Sequence, residues 1–265
     1  MWRYLAAISL FVSVEAQAQD AGPDWQWDQS DGCAVIQRVA GSKEMLELSQ
    51  SPGTDEVMVA LSDSRIKTAA YQKITKISLS MEPGGDLIGD GRLIRETDED
   101  AAKVVVDISD QRFLEAFAKT SAIAVSHEKL GVLRRAVRSP SDAVHALLEC
   151  ENAKLRTWGI DPKYLRALRE RPRPLKPLDQ LFSSDDYPPG YALNNVEGEL
   201  VLRLTIGTDG KVKDCVPLNR RADRYFLQNV CGKLKLLARF QPALDQQGQV
   251  VPAPFVTAAT FAMER

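Results

Sequence analysis

Histidine is nearly missing from this sequence: His127 and His145 are its only two. Neither has a second histidine or a cysteine at metal-ligand spacing, so the usual zinc arrangements are excluded. The four cysteines include no C-x-x-C pair. An excess of one charge is missing too. With 34 Lys and Arg against 36 Asp and Glu, the net charge is −2, and nothing supplies the concentrated basic surface that a nucleic-acid backbone requires. Catalytic fingerprints are also lacking: there is no G-x-S-x-G, phosphate loop or dinucleotide-binding glycine cluster. Ser64-Arg65-Ile66-Lys67 matches the S-x-x-K pattern of serine acyl-transferases, but the companion S-D-N and K-T-G motifs are missing and the match reads as chance. The chain is therefore expected to be no enzyme and to need no cofactor or metal.

One apolar run is present, and it is short. Arg3 precedes the apolar residues 4–14, and Ala16-x-Ala18 then fits a signal peptidase site before Gln19. As a helix this run would reach roughly 17 Å, against about 30 Å of hydrocarbon. Residues 1–18 are thus expected to be a cleaved signal peptide. The mature chain would have no membrane span and would lie in the periplasm. No cysteine near the cleavage site suggests a lipoprotein. Apolar residues at 44% and charged residues at 26% are those of a globular protein, and the length favours two domains.

Residues 25–160 read as an α+β domain with a mostly antiparallel sheet and two helices. Segments 33–39, 45–48, 57–61, 74–81 and 104–108 are short, β-branched-rich and separated by Gly, Pro, Ser or Asp. Ile77, Leu79 and Met81 alternate with Ser78 and Ser80, as in a half-buried strand. Asp110 is placed to cap a first helix through Phe113, Leu114 and Phe117. Ser139 is placed to cap a second, with Pro140 at its first position, Asp142 in its first turn and Gly159 at its end. Its Ala143, Leu147, Cys150 and Leu155 share a face. The acidic residues between Asp86 and Asp100 do not follow a calcium-loop spacing and read as a solvated hairpin tip. Residues 161–186 alternate Arg169, Arg171, Arg173 and Lys176 with Pro172, Pro174 and Pro177. Proline at this density predicts an extended polyproline II linker.

Residues 187–265 carry the clearest pattern. Leu200, Leu202, Leu204 and Ile206 alternate with Val201, Arg203 and Thr205, which predicts a strand with one buried face. Asp209-Gly210 predicts a hairpin with positive φ at both residues. A second strand follows over 211–216, and then a helix over 222–239 with Phe226, Val230, Leu234 and Leu237 on one stripe. A last strand is expected over 255–263. Pro252 and Pro254 at its start must lie on an edge or outside the pairing.

The order strand, strand, helix, strand and its punctuation resemble the TonB C-terminal domain family. The matching residues are Tyr187-Pro188, Glu197-Gly198, Asp209-Gly210, Val212, Arg239-Phe240-Gln241-Pro242-Ala243, and Asp245 with Gly248. The resemblance covers nearly all of residues 187–265 and nothing earlier. Where the family often has Trp, two residues before the aromatic at the helix end, this chain has Ala238. The resemblance implies a small β-β-α-β domain that docks an extended partner segment as an added strand. The docking edge would be Phe255, Val256, Thr257, Ala258, Ala259, Thr260 and Phe261. The implied partner is a protein of the cell envelope, such as a TonB-dependent outer-membrane transporter. A structural envelope protein that self-associates into a homodimer through the same edge is the alternative. Family members that transduce energy keep a membrane helix and a longer Pro-rich linker; this chain is expected to lack both. Three disulfide pairings are open on paper. Each expected domain holds two cysteines, which favours Cys33–Cys150 and Cys215–Cys231.

Overall fold

A computed structural model describes residues 24–28, 32–54, 56–66, 71–95, 102–110, 112–183, 186, 198–219 and 223–261. The expected signal peptide, Tyr187 and Pro188 lie outside them. Among these residues the fold is mixed α+β, dominated by strands, with four helices and a large curled antiparallel sheet.

That sheet has nine strands: β1 (Gln26–Asp28), β2 (Cys33–Arg38), β3 (Met45–Gln50), β4 (Val57–Asp63), β5 (Tyr71–Glu82), β6 (Asp86–Ile94), β7 (Ala102–Ile108), β8 (Ala122–His127) and β9 (Gly131–Ala136). Their order is β1-β2-β3-β4-β7-β6-β5-β8-β9. The alternation in β5 does what its period requires: Ile77, Leu79 and Met81 are buried, whereas Ser78 and Ser80 are only half-buried. The acidic stretch is not simply a tip. Asp86 opens β6 and Asp90 lies within it, both exposed on the pleat, while 96–100 fall outside the described residues.

The sheet curls until its ends meet, and side chains hold the seam. Buried Gln37 on β2 donates from Nε2 to Ala136 O at 2.7 Å and accepts from Arg138 N at 2.8 Å. Arg135 on β9 donates to Asp63 Oδ2 and Glu44 Oε2, each at 2.9 Å, and to Ser62 O at 2.8 Å. Its side chain is 9% exposed and that of Asp63 1%. The Arg65 guanidinium, and then Arg135, hold the Asp63 carboxyl far below the usual carboxylate range.

Helix α1 (Phe113–Phe117) and helix α2 (Pro140–Thr157) contribute Phe113, Phe117, Ala143 and Leu147 to the apolar interior of this sheet. The expected caps act differently. Asp110 Oδ1 accepts from Arg112 N, in the turn before α1. Ser139 sits in the left-handed region at φ 45, where its hydroxyl cannot reach the helix amides; it donates to Asp24 Oδ2 instead. Gly159, at φ +70, ends α2 as expected.

Residues 161–183 correct the expectation of an extended spacer. Helix α3 (Pro162–Ala167) is capped by Asp161 and buries Leu165, with Leu168 buried just beyond it. Strand β10 (Arg173–Pro174) pairs with β13 (Phe240–Gln241), and a 3-10 turn spans Leu178–Leu181. The prolines do not prevent this. Pro162 takes the first helical position, where no N–H is needed, and Pro174 falls in a two-residue ladder. The leucines between the charges supply the burial that holds the segment down.

The remaining sheet orders β12 (Val212–Pro217), β11 (Gly198–Ile206) and β16 (Ala253–Phe261), with β11 central. Helix α4 (Arg224–Leu237) packs Phe226, Val230 and Leu234 against Leu200, Leu202, Leu204 and Ile206. Leu237, expected on that stripe, is 48% exposed. The β11–β12 connection is not the tight turn expected from Asp209-Gly210. Gly207 N bonds to Lys211 O, so the loop is wider, and only Gly210 has positive φ, at +70. Asp209 instead accepts from Lys211 N and Lys213 Nζ. Strand β14 (Ala243–Leu244) pairs with β15 (Val250–Val251) around the Asp245–Gly248 turn. Both disulfides are those expected: Cys33–Cys150 ties β2 to α2, and Cys215–Cys231 ties β12 to α4.

Candidate functional site

Strand β16 is the outer strand of its sheet. It pairs along its whole length with β11, from Ala253 opposite Ile206 to Phe261 opposite Gly198. Among the described residues no strand pairs with its other edge. Pro254 lies inside the strand, opposite Thr205. An edge position tolerates a residue without an amide hydrogen.

The two faces of β16 have different surroundings. Phe255 and Ala259 belong to the core under α4, and the Phe255 ring stacks edge-on against Phe240 with centroids 5.0 Å apart. Val256 points to the opposite face, into a cluster with Leu155, Ile160, Leu165 and Leu168. Thr257 is half-buried and Ala258 is exposed. Thr260 and Phe261 complete the ladder opposite Glu199 and Gly198.

Several contacts fix the Val256 face of this sheet against the β3–β4 turn, the end of α2 and α3. Gly53 comes so close that a Cβ on it would meet Val256 Cγ2 at 2.7 Å. Gly53 N donates to Oε1 of the buried Glu151 on α2. Arg203, in the middle of β11, donates from Nη1 to Trp158 O at 2.6 Å, where the end of α2 concentrates negative partial charge. Tyr164 on α3 donates its hydroxyl to Pro252 O at 2.6 Å.

Two cavities flank the edge. The larger, about 670 Å³, lies on the Val256 face and includes Thr54, Glu56, Arg171, Arg173, Val201 and Val256 in its lining. Arg171 Nη1 donates to Thr54 O across it. The smaller, about 310 Å³, lies on the α4 face among Leu178, Phe182, Leu202, Val230 and Leu234. Thr257 and Ala258 line both. The roof of the smaller cavity is tied down by Lys233, whose Nζ bonds to Asp186 Oδ2 at 2.6 Å and stands over the Phe182 ring. Lys233, and then the Ser183 amide, lower the Asp186 pKa.

The motif residues shape the turns and short strands around this sheet. Gly210 O accepts from Phe240 N, and any Cβ on Gly210 would lie 2.2 Å from Phe240 O, so the loop needs glycine. Ala243 is buried in β14, and Pro242, between β13 and β14, is half-buried. Gly198 opens β11. Arg203, Arg171, Arg173, Thr54 and Trp158 were not singled out as site residues by sequence. Arg203 left one signal, being the only charged residue within the 200–206 alternation.

Elsewhere, Ser64 occupies an exposed turn after β4, and Lys67 lies outside the described residues. His127 Nδ1 accepts from Lys129 N, and His145 is exposed on α2. Among the described residues no three His, Cys, Asp or Glu side chains are grouped to hold a metal ion, and no helix is long and apolar enough to cross a membrane. No protein-family model matches the chain, and no curated protein does.

Proposed function

We propose that this chain is an exported, periplasmic binding module of the TonB C-terminal type that docks an extended partner segment by strand addition along β16. The observation that carries the reading is the outer edge of β16, unpaired among the described residues, beside open cavities. Such an edge offers amide and carbonyl groups at strand spacing, and an extended peptide satisfies them by becoming the next strand. Two disulfides are in keeping with an oxidising compartment. The resemblance of residues 187–265 makes a TonB-dependent outer-membrane transporter the partner class to test.

The test uses the alternation of a ladder. In an antiparallel edge strand, successive residues direct their backbone groups alternately toward the neighbour and away from it. Proline placed in turn at Thr257 and Ala258 therefore separates two effects. Where the N–H faces outward, proline abolishes partner capture and leaves the melting temperature intact. Where it faces β11, stability falls. Capture is read with a photocrosslinker at Ala258 in cell envelopes. Crosslinks to the periplasmic segment of a transporter support the reading. Crosslinks to a second copy of this chain alone replace it with self-association.

A further inference from the structure

The two cavities lie on opposite faces of one sheet. Val201 lines the larger and Leu202 the smaller, and consecutive residues of a strand point to opposite faces. They share the wall formed by Thr257 and Ala258. A strand laid beside β16 would run about 4.8 Å from it and send alternate side chains to each side. Its side chains would therefore enter the two cavities in turn, and these differ in chemistry.

The α4-side cavity is apolar, with Leu178, Phe182, Leu202, Val230 and Leu234 in its wall and one acid, Asp179, at its border. Its volume of about 310 Å³ admits a large aliphatic side chain. The opposite cavity is bordered by Arg171 and the exposed Arg173, with Glu56 as the opposing charge. The chain from 171 to 178 carries Arg171, Arg173 and Lys176 and no acid. That border is basic, although the chain as a whole is near neutral.

From this we infer that β16 selects a partner segment in which large aliphatic residues alternate with acidic ones, the aliphatic side chains entering the pocket under α4 and the acidic ones facing the Arg171–Arg173 border. The inference rests on the strand-addition reading and adds to it the sequence pattern of the partner. It also assigns residues 171–182, the stretch expected as a spacer, to both walls of the site.

The experiment measures fluorescence anisotropy of three labelled nine-residue peptides on the full chain. One alternates leucine with glutamate; the second replaces leucine by alanine; the third replaces glutamate by lysine. The leucine–glutamate peptide is expected to bind at least tenfold more tightly than either derivative. The glutamate preference should shrink as salt rises, because exposed charges are screened. Ala259→Leu, which fills the apolar pocket from β16, should erase the leucine preference and spare the glutamate preference. Arg173→Glu should do the reverse. The outward-facing proline variant should abolish all binding.

Equal binding of the three peptides, still abolished by that proline, overturns the alternating pattern and leaves strand addition standing. Selective binding that survives the proline overturns strand addition and this inference with it. No binding of any peptide to a chain that sediments as a monomer overturns both.

Discussion

Gly53, in the turn between β3 and β4, touches Val256 of β16, and replacing it by alanine probes that contact. Its φ is +83, and an added Cβ would lie 2.7 Å from Val256 Cγ2 and 3.3 Å from Leu155 Cδ2. Gly41 is a built-in control: its φ is +74, but nothing lies within 4 Å of its added Cβ. Left-handed backbone costs an alanine about 1–2 kcal/mol at either site, and the entropy lost from the unfolded chain on replacing glycine is the same for both. Only Gly53→Ala adds overpacking against buried side chains, about 1–3 kcal/mol. The difference between the two variants is therefore the contact itself. It should appear as an extra fall in melting temperature of roughly 2–4 °C per kcal/mol. Val256→Ala made on Gly53→Ala removes the clashing methyl and should recover part of that difference. A gap between Gly53→Ala and Gly41→Ala below about 0.5 kcal/mol, the scatter expected of independent sites, would refute the contact.

Other positions give independent checks. Asp63 titrates far below its unfolded range because of Arg65 and Arg135, so its contribution is full above the unfolded carboxylate pKa and is lost as pH falls below about 4 toward the folded value. In Asp63→Asn, acid melts should lose that pH-dependent component. Arg135→Ala leaves the buried Asp63 paired with Arg65 alone, and stability should fall by about 1–3 kcal/mol at neutral pH, measured by urea titration. Replacing Cys215 and Cys231 together by alanine removes a loop of separation 16, at a cost of about 3 kcal/mol in chain entropy. Asp223 accepts from Tyr225 N and Phe226 N at the start of α4, and Asp223→Ala should cost about 1 kcal/mol in thermal melts.

What the sequence disclosed follows from where periodicity is strong. The alternation at 200–206 and the stripe of Phe226, Val230 and Leu234 predict the three-stranded sheet and its helix, because each element buries one face only. The segments at 33–39, 45–48, 57–61, 74–81 and 104–108 correspond to β2, β3, β4, β5 and β7. Strand β9 hides better: its inward residues are Leu133 and Arg135, and a buried arginine breaks the apolar alternation that marks a strand. Residues 161–183 misled for a related reason. Proline and arginine dominate their composition, but Leu165 and Leu168 decide their fate, and two buried leucines outweigh a composition average. The edge residues 255–261 were legible as a strand. The walls facing them were not, because Thr54, Trp158 and Arg171 come together only through contacts distant in sequence.

The seam of the curled sheet has a consequence for how that half of the molecule responds to acid. The rows of backbone bonds stop at β1 and β9; across the opening the Gln37 amide joins β2 to the end of β9 and the Arg135 guanidinium joins β9 to the end of β4. Neutralising one carboxylate there weakens the closure without breaking a single ladder bond. At low pH the cylinder should part along this line while each strand keeps its neighbours, and amide exchange would quicken at 135–138 well before it does in β4 or β7.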